Sequence, residues 1–500
     1  MIRRLAKLLT NRIAIFTIIT LAAILSSIVL VLYLNYLSIY FYFSFILLSS
    51  IATLEILSRN TYPEYKIAWV LVVALLPGFG LVFYAFLGRK NITENKREKY
   101  NSTIKNTHMY LSINENIAKD QIVQKCEKII YSQCKMPAFC AKSINYYSSG
   151  EKFYSELIKS LSTAKCYIFL EYFIIKPGKI WNKILEILKQ KALSGVDVKI
   201  IYDDFGSVLH LPRNYPTELK KYKIKVMRFN SIVPLLDARM NIRNHRKNAV
   251  IDGKTAFISG ANIADEYANI SSYSKHWKDY GAKITGSAVN SFVISFLDTW
   301  QKKHKLTNIE NYLNRSKTVS TNIVIPFQDS PLFKNSIYED VLLNLIYSAK
   351  YKIQIATPYL VPTSELQSAL LSAARRGVKT EICIPGIPDK KSIYKISKVY
   401  AFCFTENNIS IHIYLPGFLH SKLATFDNTY AIIGTSNLDL RSVHSNYEIN
   451  MFAKSEKLLS ELTRDINSII SKSKLLNFPK RPNFFVRIYS AFIKIFAPLM

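Results

Sequence analysis

The chain has 500 residues, 49% of them hydrophobic, and 66 Lys and Arg stand against 35 Asp and Glu for a net charge of +31. That length calls for more than one domain, and such a charge selects anionic partners, which leaves nucleic acid and acidic lipid open. Abundant Lys, Ile, Asn, Tyr and Ser, the mark of an AT-rich genome, account for part of the charge but not for the shortage of Asp and Glu, and six cysteines without a CxxC pair speak against a zinc module.

The first 90 residues read as a membrane region. From Ile13 to Leu54 no residue is charged. As one helix at about 1.5 Å per residue this run spans about 63 Å, twice a hydrocarbon core of about 30 Å, so it should break into two spans near Asn35. A third apolar stretch, Ile67 to Leu87, is interrupted by Pro77, Gly78 and Gly80 and reads as a kinked or re-entrant segment. The run is too long for a cleaved signal peptide. Arg3, Arg4, Lys7 and Arg12 precede the first span, and Arg89, Lys90, Lys96, Arg97 and Lys99 follow the last. Both flanks favour the cytoplasm, which requires an even number of crossings against two to three expected spans. A cytoplasmic catalytic domain also suits free cysteines.

Residues 91–145 read as a linker holding Cys126, Cys134 and Cys140; with Cys166, Cys383 and Cys403 these are expected to be free thiols. Two similar halves follow, 146–310 and 336–475, joined by 311–335. In the first, Ala164-Lys165 precedes the apolar run CYIFLEYFII, and Gly195-Val196 precedes DVKIIYDD. In the second, Ala349-Lys350 precedes YKIQIATPYLV, and Gly377-Val378 precedes KTEICIPG. Between them lies helical periodicity, as in Leu366, Ala369, Leu370 and Ala373. Each half thus reads strand, helix, strand, then a motif strand. That alternation argues an α/β domain with a mainly parallel or mixed sheet covered by helices.

The motif is His-x-Lys-x4-Asp, present as His245, Lys247, Asp252 and again as His420, Lys422, Asp427. Each histidine is followed seventeen positions later by an asparagine, Asn262 and Asn437. Two copies with the same downstream Asn are not accidental. Histidine serves as nucleophile or acid/base near neutral pH, and lysine as a point charge for phosphate. Two of each describe a phosphoryl-transfer site that needs no metal or other cofactor. The one-residue gap puts His and Lys on the same strand face, whereas the motif Asp has opposite parity. Asp252 and Asp427 therefore complete the candidate catalytic motif as structural members. The remaining tail, 476–500, is amphipathic: Phe485, Ile488, Phe492, Ile495 and Phe496 recur at helical spacing, with Arg487 and Lys494 able to reach headgroups. A helix docked on the protein's own core fits the same pattern.

These residues resemble the phospholipase D superfamily, whose defining element is the paired motif. RNHRKNAVIDG (243–253), SGANIADEY (259–267) and Trp277-Lys278-Asp279 look like the first half of a bacterial cardiolipin synthase. TPYLVP (357–362), PGIPDKK (385–391), LPGFLHSK (415–422) and GTSNLDLRS (434–442) look like the second, and 66–88 is similar to that family's last membrane segment. Ser259, in place of a glycine, and Asn248, at a position usually apolar, depart from the pattern without removing a reacting group. The resemblance implies two phospholipase D-like halves related by pseudo-twofold symmetry, each a mixed sheet flanked by helices, behind N-terminal transmembrane helices. It implies a multi-pass protein of the bacterial cell membrane that acts on phosphatidylglycerol in an anionic bilayer, and no nucleic acid.

One histidine attacks phosphorus and the other serves as acid and then base. The family resemblance assigns the nucleophile to His245 and the acid to His420. Lys247, Lys422, Asn262 and Asn437 would bind the phosphate oxygens where charge builds up. In the family a downstream acid orients each histidine, and the matching positions are Asp279 and Glu448, 34 residues after His245 and 28 after His420 respectively. Glu171 and Tyr359, on corresponding apolar strands, are further candidates to line the cleft. His210, His276, His304, His412 and His444 lack the motif and read as structural. Two intact motifs argue against an inactive scaffold, and the apolar segments argue against a nuclease. Transfer of a phosphatidyl group to a second phosphatidylglycerol and hydrolysis to phosphatidic acid remain the two chemistries.

Overall fold

The structure, a computed structural model, describes residues 38–59, 61–88, 94–111, 120–232, 241–270, 276–306, 308–316, 318, 320–477 and 484–496, with positions 25 and 29. The chain forms two compact units: Met1–Thr93 with Asn230–Ile242 and Asn483–Met500, and Glu94–Phe229 with Arg243–Pro482.

In the first unit the uncharged sequence before Glu55 continues into a 21-residue helix, Ser38–Ser58. Its Tyr40–Ser58 portion is, among the described residues, the one helix long and apolar enough to cross a membrane. The expected break near Asn35 and nearly all of the stretch before it lie outside the described residues. The third apolar stretch does not form one span. The helix Pro63–Leu75 ends before Pro77, Gly78 takes φ +84°, and the chain resumes as Phe79–Phe83 and a π-helical turn, Tyr84–Gly88. Proline lacks the amide a continuous helix needs, and a left-handed φ suits glycine. Trp69 packs on Tyr84 with ring centroids 5.5 Å apart, and Glu55 accepts from Arg59 Nε (2.8 Å) and the Tyr84 hydroxyl (3.1 Å). The expected multiple spans therefore reduce, on the described residues, to one apolar helix packed against a broken pair. The tail forms the helix Phe484–Phe496, which packs on Pro63–Leu75 with Ile493 buried and Phe484, Phe485, Ile488 and Phe492 exposed.

The second unit holds two sheets. One runs, in spatial order, Ser143–Tyr147, Gly281–Thr285, Thr255–Ser259, Lys247–Ile251, Tyr167–Tyr172, Asp197–Asp203 and Lys225–Phe229. The other runs Phe139–Cys140, Ile323–Asp329, Asn446–Lys454, Tyr430–Gly434, Leu423–Phe426, Lys352–Ala356, Lys379–Pro385, Ser410–Tyr414 and Ser473–Leu475. The same order recurs in both. The last three strands of the first sheet pair in parallel, as do their counterparts in the second, and each motif strand pairs antiparallel beside them. The mixed sheet expected from the sequence is thus present twice. Strands such as Tyr167–Tyr172 are buried throughout, which explains their unbroken apolar runs. Residues 91–145, read as a linker, supply the helices Glu94–His108 and Gln121–Cys134 and contribute strands to both sheets.

The motif aspartates shape this frame. Asp252 and Gly253 have φ +52° and +61°, and Asp427 and Asn428 have φ +51° and +50°, as the tight hairpin after each motif strand requires. The Asp252 carboxylate accepts the backbone amides of Lys165, Cys166 and Tyr167 at 2.7–2.8 Å; Asp427 accepts those of Lys350, Tyr351 and Lys352 at 2.8 Å. Each fastens the hairpin to the entry of the neighbouring strand. Asp252→Ala removes two acceptor oxygens that take three amide hydrogen bonds, and a residue tolerant of a left-handed turn, and is expected to cost about 2–4 kcal/mol in equilibrium unfolding. Asp252→Asn, which keeps the turn and one oxygen, should lose less, and equal losses would count against this account.

Candidate active site

Both histidines lie just ahead of their motif strands, where the chain crosses to the other half. Arg243 and Asn244 pair in parallel with Asn446 and Tyr447, and the amide of His245 donates to Tyr447 O at 2.8 Å. Phe418 and Leu419 pair in parallel with Trp277 and Lys278, and the amide of His420 donates to Lys278 O at 2.8 Å. The next residues in register are His245 beside Glu448 and His420 beside Asp279. His245 Nδ1 lies 2.9 and 3.0 Å from the two Glu448 oxygens, and His420 Nδ1 lies 2.6 Å from Asp279 Oδ2. The sequence spacings, counted within a half, concealed this exchange: each half's acid serves the other half's histidine. The rings keep 14% and 8% of their side-chain surface, whereas both acids keep none. The face left for a substrate is therefore the imidazole edge bearing Nε2.

Lys247 Nζ donates to His245 O at 2.6 Å, and Lys422 Nζ lies 3.0 Å from both ring nitrogens of His420. Burial takes Lys247 well below the usual lysine range and Lys422 down to about 8, against the pull of Asp279 and Glu448. Burial also lowers His245 and His420, and the lysine of the opposite half adds to each shift, so the four groups share one enclosure. Two buried lysines whose charged form burial disfavours would be stabilised by an anion between them.

The two acids differ. Burial would raise Glu448, but His245, Lys247 and the Thr435 hydroxyl hold it at about 2. Asn446 Nδ2 donates to it as well, at 3.1 Å. Burial raises Asp279 to about 7 against Lys422 and the Tyr280 amide, which donates at 2.9 Å. The cause is visible in the repeat. Thr435 stands fifteen residues after His420, and the equivalent position after His245 is Gly260. A Cβ on Gly260 would fall 2.3 Å from Asp279 Oδ1, so close packing replaces a donor there.

The remaining candidates distribute unevenly. Asn262 Nδ2 donates to the Tyr267 hydroxyl at 2.7 Å and its Oδ1 accepts the Ile174 amide at 3.1 Å, so part of its amide is engaged in holding the loop. Asn437 Nδ2 donates to Asp439 at 3.1 Å, and its Oδ1 has no partner among the described residues. Asp252 and Asp427 touch neither histidine in the described contacts and hold the hairpins instead, the structural part their opposite strand parity suggests. Glu171 is fully buried, accepts from Asn244 Nδ2 at 2.7 Å and lies 3.7 Å from Arg246 Nη1, so it contacts the residues on either side of His245. Tyr359 donates to Asp389 at 2.6 Å and its ring lies 6.5 Å from that of Phe418.

Arg246, Thr435, Gly260 and Tyr280 escaped the sequence reading. Arg246 alternates out of phase with the two motif residues, and its fully buried guanidinium donates from Nε to Glu448 O at 3.2 Å. Tyr280, next to Asp279, donates to Gly434 O at 2.8 Å and approaches Lys422 O at 3.1 Å. Adjacency to motif residues was the available signal. Among the described residues no group of three or more His, Cys, Asp or Glu side chains is arranged to hold a metal ion.

Two repeated mixed sheets whose motif histidines and lysines meet in one buried site define a phospholipase D-like protein. Residues 157–272 and 342–470 match the family described as "Cardiolipin synthase, PLD-like domain", and 37–89 match "Phospholipase_D-nuclease N-terminal". The chain is 30% identical to a cardiolipin synthase of Geobacillus thermodenitrificans and 29% identical to one of Alkalihalophilus pseudofirmus, in each case over 88% of this chain and 90% of the other. An uncharacterized protein of Streptococcus mutans is 34% identical over 73% of this chain and 80% of its own length. The fold also matches the phosphatidylserine synthase of Haemophilus influenzae, with a TM-score of 0.59 and 17% identity, covering 76% of this chain and all of that one. The chain belongs to the cardiolipin synthase family of phospholipase D-like enzymes. Its membrane association follows from that family and from the matched N-terminal segment.

Gly260→Ala tests the close packing around Asp279. Displacing that carboxylate by about 1 Å should lower phospholipid turnover about 10²-fold, with a loss of about 1–3 kcal/mol in stability from overpacking. Turnover close to wild type would show that the carboxylate tolerates displacement.

Proposed function

We propose that the protein is a cardiolipin synthase that joins two phosphatidylglycerols into cardiolipin and glycerol through a phosphatidyl-histidine intermediate. The observation that supports it best is the pair of buried imidazoles, each with Nδ1 held by a carboxylate of the opposite half, with Nε2 of His245 turned to the substrate and Nε2 of His420 beside the Lys422 ammonium that would bind the phosphate. Neutral His245 attacks the phosphorus of the donor through Nε2. The bond from phosphorus to the headgroup glycerol oxygen breaks, and that oxygen takes a proton from His420. Lys247, Lys422, Asn262 and Asn437 would receive the equatorial oxygens. The intermediate is cationic at its imidazole, with the proton on Nδ1 retained. Ionised Glu448 faces that ring, which supports His245 as the nucleophile. The His420–Asp279 pair holds a dissociable proton near neutrality, as a general acid requires. His420 then takes the proton of a glycerol hydroxyl on the second phosphatidylglycerol, that oxygen attacks phosphorus, and the bond to His245 breaks.

The substrates reach the site within the bilayer. The apolar helix, the exposed aromatic face of the C-terminal helix and the net charge of +31 together fit an enzyme of an anionic membrane. More than one crossing and a cytoplasmic catalytic unit complete this reading, with the two halves at 146–310 and 336–475. With phosphatidylglycerol as the only lipid, cardiolipin and free glycerol are the expected products, and added glycerol should drive the reaction backwards. Phosphatidic acid as sole product would make the enzyme a phospholipase, and a strict need for a nucleotide-activated lipid would point to different chemistry.

The pH dependence follows from the same groups. Turnover should fall on the alkaline side as pH rises through about 7 to 8, where the His420–Asp279 proton and the Lys422 charge are lost. It should fall on the acid side below the ordinary histidine value, as His245 takes up a proton. A rate constant flat from pH 6 to 9 would contradict this assignment.

A further inference from the structure

One buried histidine takes no part in this chemistry. His108 ends the helix Glu94–His108, outside all three matched family segments, and its Nε2 lies 2.7 Å from Asp298 Oδ2. Thr107 donates to the other oxygen of Asp298 at 2.6 Å. Gln328 Nε2 also donates to Asp298 Oδ2 at 2.7 Å, which turns its own Oε1 towards Arg246 Nη2, 2.8 Å away. Arg246 spends its other donors on Thr299 Oγ1 (2.8 Å), Ser295 O (3.0 Å) and Glu448 O (3.2 Å). Tyr100, on the same helix, sits edge-on to Tyr447, the neighbour of Glu448, at 6.3 Å. The buried positions Tyr100, Ile104, Thr107 and His108 form one face of a helix otherwise dominated by polar residues.

We propose that this helix is a positioning element of the active site, in which His108 and Thr107 hold Asp298, and through Gln328 and Arg246 fix the main chain that carries His245 and Glu448. The physical reason is directional. Gln328 presents its oxygen to Arg246 Nη2 and Ser295 Oγ (3.3 Å) while Asp298 holds its amide nitrogen, the shortest contact on that side. A buried carboxylate short of donors no longer fixes that orientation, and a flipped amide would set donor against donor. Among the described residues the second half shows no such arrangement. Ser421 replaces Arg246, and Tyr280 ties Lys422 O to Gly434 O. The coupling therefore acts on the His245–Glu448 pair alone. It rests on the proposed role of that pair in turnover.

The test compares His108→Leu and His108→Gln in the full-length protein in phosphatidylglycerol vesicles. Donor consumption is followed whatever the product, so the outcome does not depend on transfer prevailing over hydrolysis. His108→Leu is expected to lower kcat about ten- to hundredfold with KM unchanged. His245 faces Glu448, Lys247, Lys422 and His420; with Glu448 less well held, the acid limb of kcat should move down by about half a pH unit. His108→Gln, which returns an amide donor, should restore both. The effect should be non-additive with Gln328→Leu and additive with Tyr280→Phe. If His108→Leu does not fold, Thr107→Val makes the same comparison at the other carboxylate oxygen. A kcat within about twofold of wild type, an unmoved acid limb, or additivity with Gln328→Leu would overturn the proposal.

Discussion

An imidazole that attacks phosphorus needs one nitrogen with a free lone pair, and in a buried site the other nitrogen must be given an acceptor. Here that acceptor comes from the opposite half of the molecule. His245 and Glu448 meet because Arg243-Asn244 runs beside Asn446-Tyr447, and His420 and Asp279 meet because Phe418-Leu419 runs beside Trp277-Lys278. Neither half holds a complete site. The duplicated sheets, the hairpins pinned by Asp252 and Asp427, and the buried Arg246 all serve to keep these two crossings in register.

The repeat is symmetric in its framework and asymmetric in its electrostatics. Glu448 receives a hydroxyl from Thr435 and an amide from Asn446. Asp279 receives one backbone amide and is packed against Gly260. One carboxylate is thereby held ionised and the other pushed towards neutrality, although both touch a motif histidine. A two-step transfer needs such a division, because the nucleophile must begin with no proton on its attacking nitrogen and the acid must begin with one to give.

Much of this was legible in the chain. The paired motifs named His245, Lys247, His420 and Lys422, and strand parity set Asp252 and Asp427 apart, since an odd offset turns a side chain to the other face. The alternating strands and helices gave the α/β class. Two kinds of information were not legible. The exchange of acids depends on which strand edge each crossing segment meets, a long-range pairing that spacing within a half cannot report. The membrane region was read from hydropathy as two or three spans. Pro77 and Gly78, which mark an interruption in the sequence, divide the last stretch into short helices, and one apolar helix long enough to span is established on the described residues. The helix Glu94–His108 was hidden by its composition: four buried positions at helical spacing lie among Lys, Asn and Glu.

The central claim is that one crossed pair carries the covalent step while the other moves the proton. Rapid mixing with phosphate-labelled phosphatidylglycerol, alkaline denaturation to preserve phosphohistidine, and peptide mapping test it most directly. The account expects label on His245 alone, released when glycerol is added to the native enzyme. Label on His420, or turnover with no covalent label at any time, would contradict it.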